Sequence, residues 1–325
     1  MQDLTHNRRL SIAPMLDWSD RHMRYLWRLI SKDVLLYSEM VVTHALMHAE
    51  PKRFLQYKQD EHPIALQLGG SDPQMLATCA RMAEDWGYDE VNLNCGCPSD
   101  RVQSGRFGAC LMAEPNVVAE CVSAMRAAVK IPITVKTRIG IDHNDSWEFF
   151  ETFIRTVESA GCNTFTIHAR KAWLQGLSPK ENREKPPLQY DVAYRLKKER
   201  PHLNISLNGG VKTLQDVNSI LQNLDGVMVG REAYENPWFL ADADPLVFGR
   251  PRTCPSDEKE LLEAYIPYLE EQMAEGVPLH IMTKHLLGLF SGKPGARKFR
   301  QIMGEGACRP GVGVQLVRDA MAAIR

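Results

Sequence analysis

The sequence predicts an α/β fold: a (β/α)8 TIM barrel over residues 1–245, followed by a small helical domain over 246–325. Three observations lead there. Eight short apolar, β-branched runs recur before residue 245, and each is followed by a stretch with helical periodicity. The runs are apolar on both faces, as strands of a buried parallel sheet must be. Beyond 245 the β pattern stops. A doubly wound open sheet is the structural rival, but no G-x-G-x-x-G follows the first run.

In order, the first strand is read over 10–14, and a helix follows from about Ser19 with Met23, Leu26, Trp27 and Ile30 on one stripe. A second strand region covers 35–42. The third, 64–68, stops at Gly69 and Gly70, and Asp72-Pro73 opens the next helix, with proline in its first turn. The fourth strand, 91–94, leads through a long loop to a helix over 115–129. The fifth is 133–136, then a helix capped by Asp145-Ser146. The sixth is 164–168, with a helix over 189–198. The seventh is 205–208, with a helix from Thr213. The eighth is 226–230, with a short helix over 231–234. Pro245, Pro251 and Pro255 mark a linker, and residues 257–273 read as an acidic helix. From His280 onward eight Lys and Arg face only Glu305 and Asp319, so the tail is strongly basic.

Composition is that of an ordinary globular chain, 44% hydrophobic and 24% charged, so disorder is excluded as a class. No apolar run reaches membrane-span length, and the N-terminus lacks a signal-peptide pattern, which points to the cytoplasm and no membrane partner. Eight cysteines in so long a chain are read as reduced, with Cys79, Cys121 and Cys162 in the core. A net charge of −1 argues against a uniformly basic coat but leaves room for a local nucleic-acid patch. Neither an obligate protein partner nor an oligomeric state is legible.

A barrel carries its chemistry at the C-terminal ends of its strands. Here those ends are Pro14-Met15, Gln67, Asn94 to Cys97, Lys136 and Arg138, His168 and Arg170, Asn208-Gly209-Gly210, and Gly230-Arg231. The last two suit a phosphate: backbone N–H groups bind its oxygens, glycine permits close approach, and Arg231 adds charge. Lys136, inward of that site, suits a ligand that gains negative charge, such as a reduced flavin. Gln67 offers the donor and acceptor that a flavin pyrimidine edge requires, and His168 can bond the same ring. A tight-turn role for the glycines and a core role for His168 are the plain alternatives.

Cys97 has several chemistries open to it. Cys95-Gly96-Cys97 is too short for a C-x2-C metal clamp and has no second pair, so no metal is expected. Disulfide redox favours C-x-x-C. A hydrolytic nucleophile would take His168 as base. A thiol with an ordinary pKa of about 8.5 can instead donate a proton at neutral pH. Beside a flavin, that fits saturation of an activated C=C bond. The following loop, 98–109, carries Gly105 and Gly108 and is read as able to move on substrate entry.

Taken together, Ala13-Pro14-Met15, Gln67-Leu68-Gly69-Gly70, Asn92-Leu93-Asn94-Cys95-Gly96-Cys97-Pro98, Val135-Lys136-Thr137-Arg138, His168-Ala169-Arg170, Asn208-Gly209-Gly210 and Val229-Gly230-Arg231 resemble the tRNA-dihydrouridine synthases over nearly the whole chain. Residues 168–183 and 292–297 resemble the bacterial A-type branch. The resemblance implies reduction of uridine to 5,6-dihydrouridine in the tRNA D-loop, at the positions called 20 and 20a, with FMN as cofactor and NADPH as reductant. It implies that Pro14, Met15, Leu16, Gln67, Lys136, His168, Asn208, Gly209, Gly210, Gly230 and Arg231 hold FMN. It further implies that Cys97 gives a proton to uracil C5, that Asn94 sits beside the flipped base, and that Cys95 merely packs. For tRNA it suggests a basic rim of Arg138, Arg170, Lys171, Lys180 and Arg183, and a second basic wall of Lys293, Arg297, Lys298 and Arg300. An FMN dehydrogenase for a free pyrimidine, a non-catalytic tRNA-binding module and a phosphate-binding barrel without flavin are the rival functions.

Overall fold

A computed structural model describes residues 4–99 and 105–325. Part of the loop expected to move, 100–104, lies outside the described residues. Eight parallel strands run β1 (Leu10–Ile12), β2 (Leu36–Val42), β3 (Ile64–Gly69), β4 (Glu90–Cys95), β5 (Ile133–Arg138), β6 (Thr164–His168), β7 (Asn204–Asn208) and β8 (Gly226–Val229). They are hydrogen-bonded in the order β1-β8-β7-β6-β5-β4-β3-β2. The ring closes between β1 and the residue before β2: Ser11 and Leu35 form a parallel bridge, with Ile12 N–H on the Leu35 carbonyl (2.9 Å) and Leu35 N–H on that of Leu10 (3.1 Å). This is the (β/α)8 barrel that the sequence predicts.

Helices α1 (Arg21–Ile30), α2 (Thr43–His48), α3 (Lys52–Leu55), α4 (Pro73–Trp86), α5 (Pro115–Ala128), α6 (Trp147–Ser159), α7 (Tyr190–Glu199), α8 (Leu214–Ile220) and α9 (Arg231–Glu235) fill the crossovers. Their starts follow local chemistry. Asp20, Asp72, Ser146 and Thr213 each accept backbone N–H groups as N-caps, and Pro73 and Pro115 open first turns. The short α2 and α3 lack the length to show a 3.6-residue period, and the sequence does not reveal them.

The expected linker begins later than Pro245. That proline sits inside α10 (Ala243–Phe248), in the first turn, where a missing N–H costs nothing, and position 246 falls within the same helix. Arg9 and Ser31 tie α10 to the barrel through the Val247 carbonyl and Asp244. Beyond it come α11 (Glu258–Ala274), α12 (Leu279–Thr283), α13 (Ala296–Gly306) and α14 (Gln315–Met321), with no strand among them. Tyr265 and Tyr268 of α11 seat this group on α1: Tyr265 donates to the His22 carbonyl (2.9 Å), and Tyr268 stacks on Tyr25 at 4.2 Å. No described helix is long and apolar enough to cross a membrane.

Candidate active site

Side chains alternate along a strand, so residues two apart share a face. On β4 this sends Val91, Leu93 and Cys95 outward into the apolar layer under the helices, and leaves Glu90, Asn92 and Asn94 on the other face, toward the barrel axis. Cys95 is fully buried, and burial pushes its thiol well above the usual range, as befits a packing residue. Cys97 follows the strand end and is half-buried. Its N–H and that of Gly96 both donate to Asn94 Oδ1 (3.0 Å each), and its Sγ lies 3.5 Å from Ser99 Oγ.

Above the strand ends lies a cavity of about 1070 Å³. Cys97, Asn94 and every residue expected to hold a cofactor line it: Pro14, Met15, Leu16, Gln67, Lys136, His168, Asn208, Gly209, Gly210, Gly230 and Arg231. Gln67 and Asn94 are joined, Asn94 Nδ2 donating to Gln67 Oε1 at 2.8 Å. Lys136 Nζ donates to Asn208 Oδ1 at 3.0 Å and has no carboxylate partner among the described residues. Burial, then the charge of Arg138, lowers its pKa to about 7, while Cys97 opposes the shift. His168 is driven well below its usual range by burial and by Arg138, so its imidazole is neutral.

These residues fit an anionic, partly aromatic cofactor. Lys136 has no counter-ion among the described residues, and Arg138, Arg183, Lys212 and Arg231 line the same cavity. Gly209 (φ 114°) and Gly210 (φ 77°) hold the left-handed turn that keeps side chains out of the β7 end. A Cβ on Gly209 would lie 2.8 Å from His168 Cδ2. Arg231, expected at a phosphate, is already held by Glu184 at 2.6 Å on the exposed rim.

A family model described as dihydrouridine synthase (Dus) matches residues 11–324. The chain belongs to the dihydrouridine synthase family. It is 58% identical to the tRNA-dihydrouridine(20/20a) synthase of Vibrio cholerae serotype O1 over 322 residues, covering 99% of this chain and 98% of that one. It is 54% identical to the protein of the same name from Escherichia coli K12 over 320 residues, covering 98% and 92%. Among solved structures it shares its fold with a 2-naphthoyl-CoA reductase complex (TM-score 0.54, 14% identity), a likeness spanning 75% of this chain and 50% of that one.

In this dihydrouridine synthase the residues expected at the RNA surface divide into two groups. Lys180, Arg183, Arg297, Lys298 and Arg300 are exposed. Lys171 is paired with Asp145 (2.7 Å) and sits over the Trp173 ring at 4.5 Å, and Lys293 is paired with the buried Glu258. Arg170 bonds the Pro186 carbonyl, and its buried Nε has no hydrogen-bond partner among the described residues. Arg138 corrects the expectation of a rim residue. It is buried, with Nε on the Gly96 carbonyl (2.9 Å) and Nη1 on those of Lys171 and Asn182 (3.0 Å each). The reason is parity: Lys136 points inward, so Arg138, two residues on, does too.

Two contributions escape sequence reading. Asn182, fully buried, accepts from Trp173 N–H (2.7 Å) and donates to the carbonyls of Trp173 (2.9 Å) and Leu177 (3.2 Å), pinning the long loop after β6. The cavity also extends beneath Met40, Val42, Ala45, Arg53 and Phe54 from the β2–α3 segment, and Ile281 of α12 reaches its edge. Among the described residues no cluster of His, Cys, Asp or Glu is placed to hold a metal.

Proposed function

We propose that this protein reduces uridine to 5,6-dihydrouridine in the tRNA D-loop, at the positions 20 and 20a for which its relatives are named, with FMN as cofactor and NADPH as reductant. The observation that best supports this reading is that one cavity gathers Cys97, Asn94, a Lys136 with no carboxylate partner among the described residues, and the Gly209-Gly210 turn. A small-molecule dehydrogenase would have no use for exposed Arg297, Lys298 and Arg300 beyond the barrel.

FMN, held by the eleven cavity residues from Pro14 to Arg231 named above, would supply a hydride to uracil C6 once NADPH has reduced it. Cys97 donates the thiol proton to C5 and is reprotonated from solvent. Asn94 holds the Gly96-Cys97 backbone and, through its link to Gln67, borders the flipped base. Lys136 supplies positive charge where the ligand is most anionic. His168, neutral, serves as a hydrogen-bonding partner and carries no proton-transfer role. Helices α11 to α14, beyond α10, provide the second tRNA surface, and a tRNA substrate fits the cytoplasmic setting expected from the sequence.

The test is Cys97→Ala. Flavin content and tRNA affinity should stay at wild-type level while dihydrouridine formation falls by about 10²–10⁴-fold, the usual span for a general acid. Unchanged dihydrouridine yield would remove Cys97 from the chemistry. Turnover of free uracil that survives loss of Arg297 and Arg300 would favour the small-molecule reading.

A further inference from the structure

We propose that Glu90, at the closed end of the barrel, is a positioning residue for Cys97, acting through a polar chain that crosses the barrel interior. The proposal rests on Cys97 as proton donor and adds how its loop is held.

The chain is continuous. Arg8 and Tyr37 both donate to the Glu90 carboxylate, Arg8 as a buried ion pair and Tyr37 at 2.7 Å. Thr134 Oγ1 also donates to Glu90. Asn92 Nδ2 donates to Thr134 Oγ1 (2.9 Å), Gln67 Nε2 to Asn92 Oδ1 (2.8 Å), and Asn94 Nδ2 to Gln67 Oε1 (2.8 Å). Asn94 Oδ1 then accepts from Gly96 and Cys97. Glu90, Asn92, Asn94, Gln67 and Thr134 are each at most 8% exposed, so water cannot readily replace a lost partner.

The donors all point the same way, and the carboxylate is the reason. A carboxylate only accepts, so Thr134 must give it its single proton. The Thr134 oxygen is then an acceptor and draws the NH2 of Asn92. That turns the Asn92 oxygen to Gln67, the Gln67 oxygen to Asn94, and the Asn94 oxygen to the loop. Reversing Asn94 would set its NH2 against the N–H donors of Gly96 and Cys97, and reversing Asn92 or Gln67 would set NH2 against NH2 within the chain. A neutral hydroxyl or amide at position 90 would lose this one-way instruction.

Thr134→Val cuts the chain while leaving Glu90, Arg8 and Tyr37 in place; Thr134→Ser restores it. Tyr37→Phe removes a bond to the same carboxylate but leaves every link from Thr134 to Cys97 in place, and serves as the control. On holoenzyme, Thr134→Val should lower kcat for tRNA about tenfold with KM within about twofold, the scale of one buried hydrogen bond. It should raise deuterium exchange at the Gly96 and Cys97 amides by about tenfold, with Thr134→Ser near wild type and Tyr37→Phe changing melting temperature only. Wild-type exchange in Thr134→Val overturns the proposal, as does an equal loss of kcat in Tyr37→Phe. If Thr134→Val does not fold, Thr134→Ala is read by the same two assays. Should Cys97→Ala itself keep its activity, the fault lies in the role of Cys97, and amide exchange alone decides whether the chain holds the loop.

Discussion

Lys136 offers the sharpest quantitative prediction. Its ammonium sits at the base of the cavity with Asn208 as its hydrogen-bond partner, and burial brings its pKa from 10.5 to about 7. An anionic ligand supplies the missing counter-charge and raises that pKa again. Binding of FMN above pH 7 therefore takes up one proton, and affinity falls about tenfold, ~1.4 kcal/mol, per pH unit. From pH 7.5 to 9 the weakening is about 25-fold for a free-protein pKa of about 7. The FMN phosphate has lost its second proton by then, with a pKa of about 6, so it adds no slope. Titrating flavin fluorescence on flavin-stripped protein across this range measures the effect, and Lys136→Met should flatten it. An affinity independent of pH in the wild type, or an equal slope in Lys136→Met, would refute the reasoning. The flavin-free protein shows the opposite sign in its stability. Between about 7 and 10.5 the unfolded chain holds a proton that the folded Lys136 has lost, so the contribution of Lys136 to folding stability rises with pH there and is least below 7.

Other expectations follow from individual interactions. Gly209→Ala combines a positive φ with a Cβ 2.8 Å from His168 and should lose flavin during purification, measured as the 450-nm to protein absorbance ratio, while the barrel still melts cooperatively. Asn182→Ala strips partners from Trp173 and Leu177 and should cost roughly 2–4 kcal/mol locally, seen as faster proteolysis within 171–183. Arg297→Ala with Arg300→Ala should reduce the slope of log affinity for tRNA against log salt by about 0.7–0.9 for each phosphate that is no longer neutralised; an unchanged slope removes α13 from the interface.

Much of this molecule is legible in its sequence because parallel barrel strands are apolar runs with polar ends. β6 matches the reading residue for residue, and others differ only at their margins. The cavity lining was legible for the same reason: strand ends converge wherever a barrel closes. What was not legible depends on parity and on distant partners. The inward direction of Arg138 follows from Lys136 by simple alternation, and so does the alignment of Glu90 and Asn92 with Asn94. The ties of Arg231 to Glu184 and of Lys293 to Glu258 join segments 47 and 35 residues apart, and no local pattern announces them. Asn182 looks like any loop asparagine until Trp173 is brought beside it.

The grip of Arg138 has a consequence for how this scaffold diversifies. It holds the Cys97 loop and the long loop after β6 by their backbone carbonyls alone, at Gly96, Lys171 and Asn182. Every residue type carries that carbonyl. Side chains along 171–183 can therefore be exchanged to suit another RNA contour while the loop remains docked at the same depth, apart from the buried Ala172 and Asn182. If this loop meets RNA, recognition can drift on a mount that hardly reads the sequence it carries, and a loop graft between relatives should keep its position so long as Arg138, Ala172 and Asn182 travel with it.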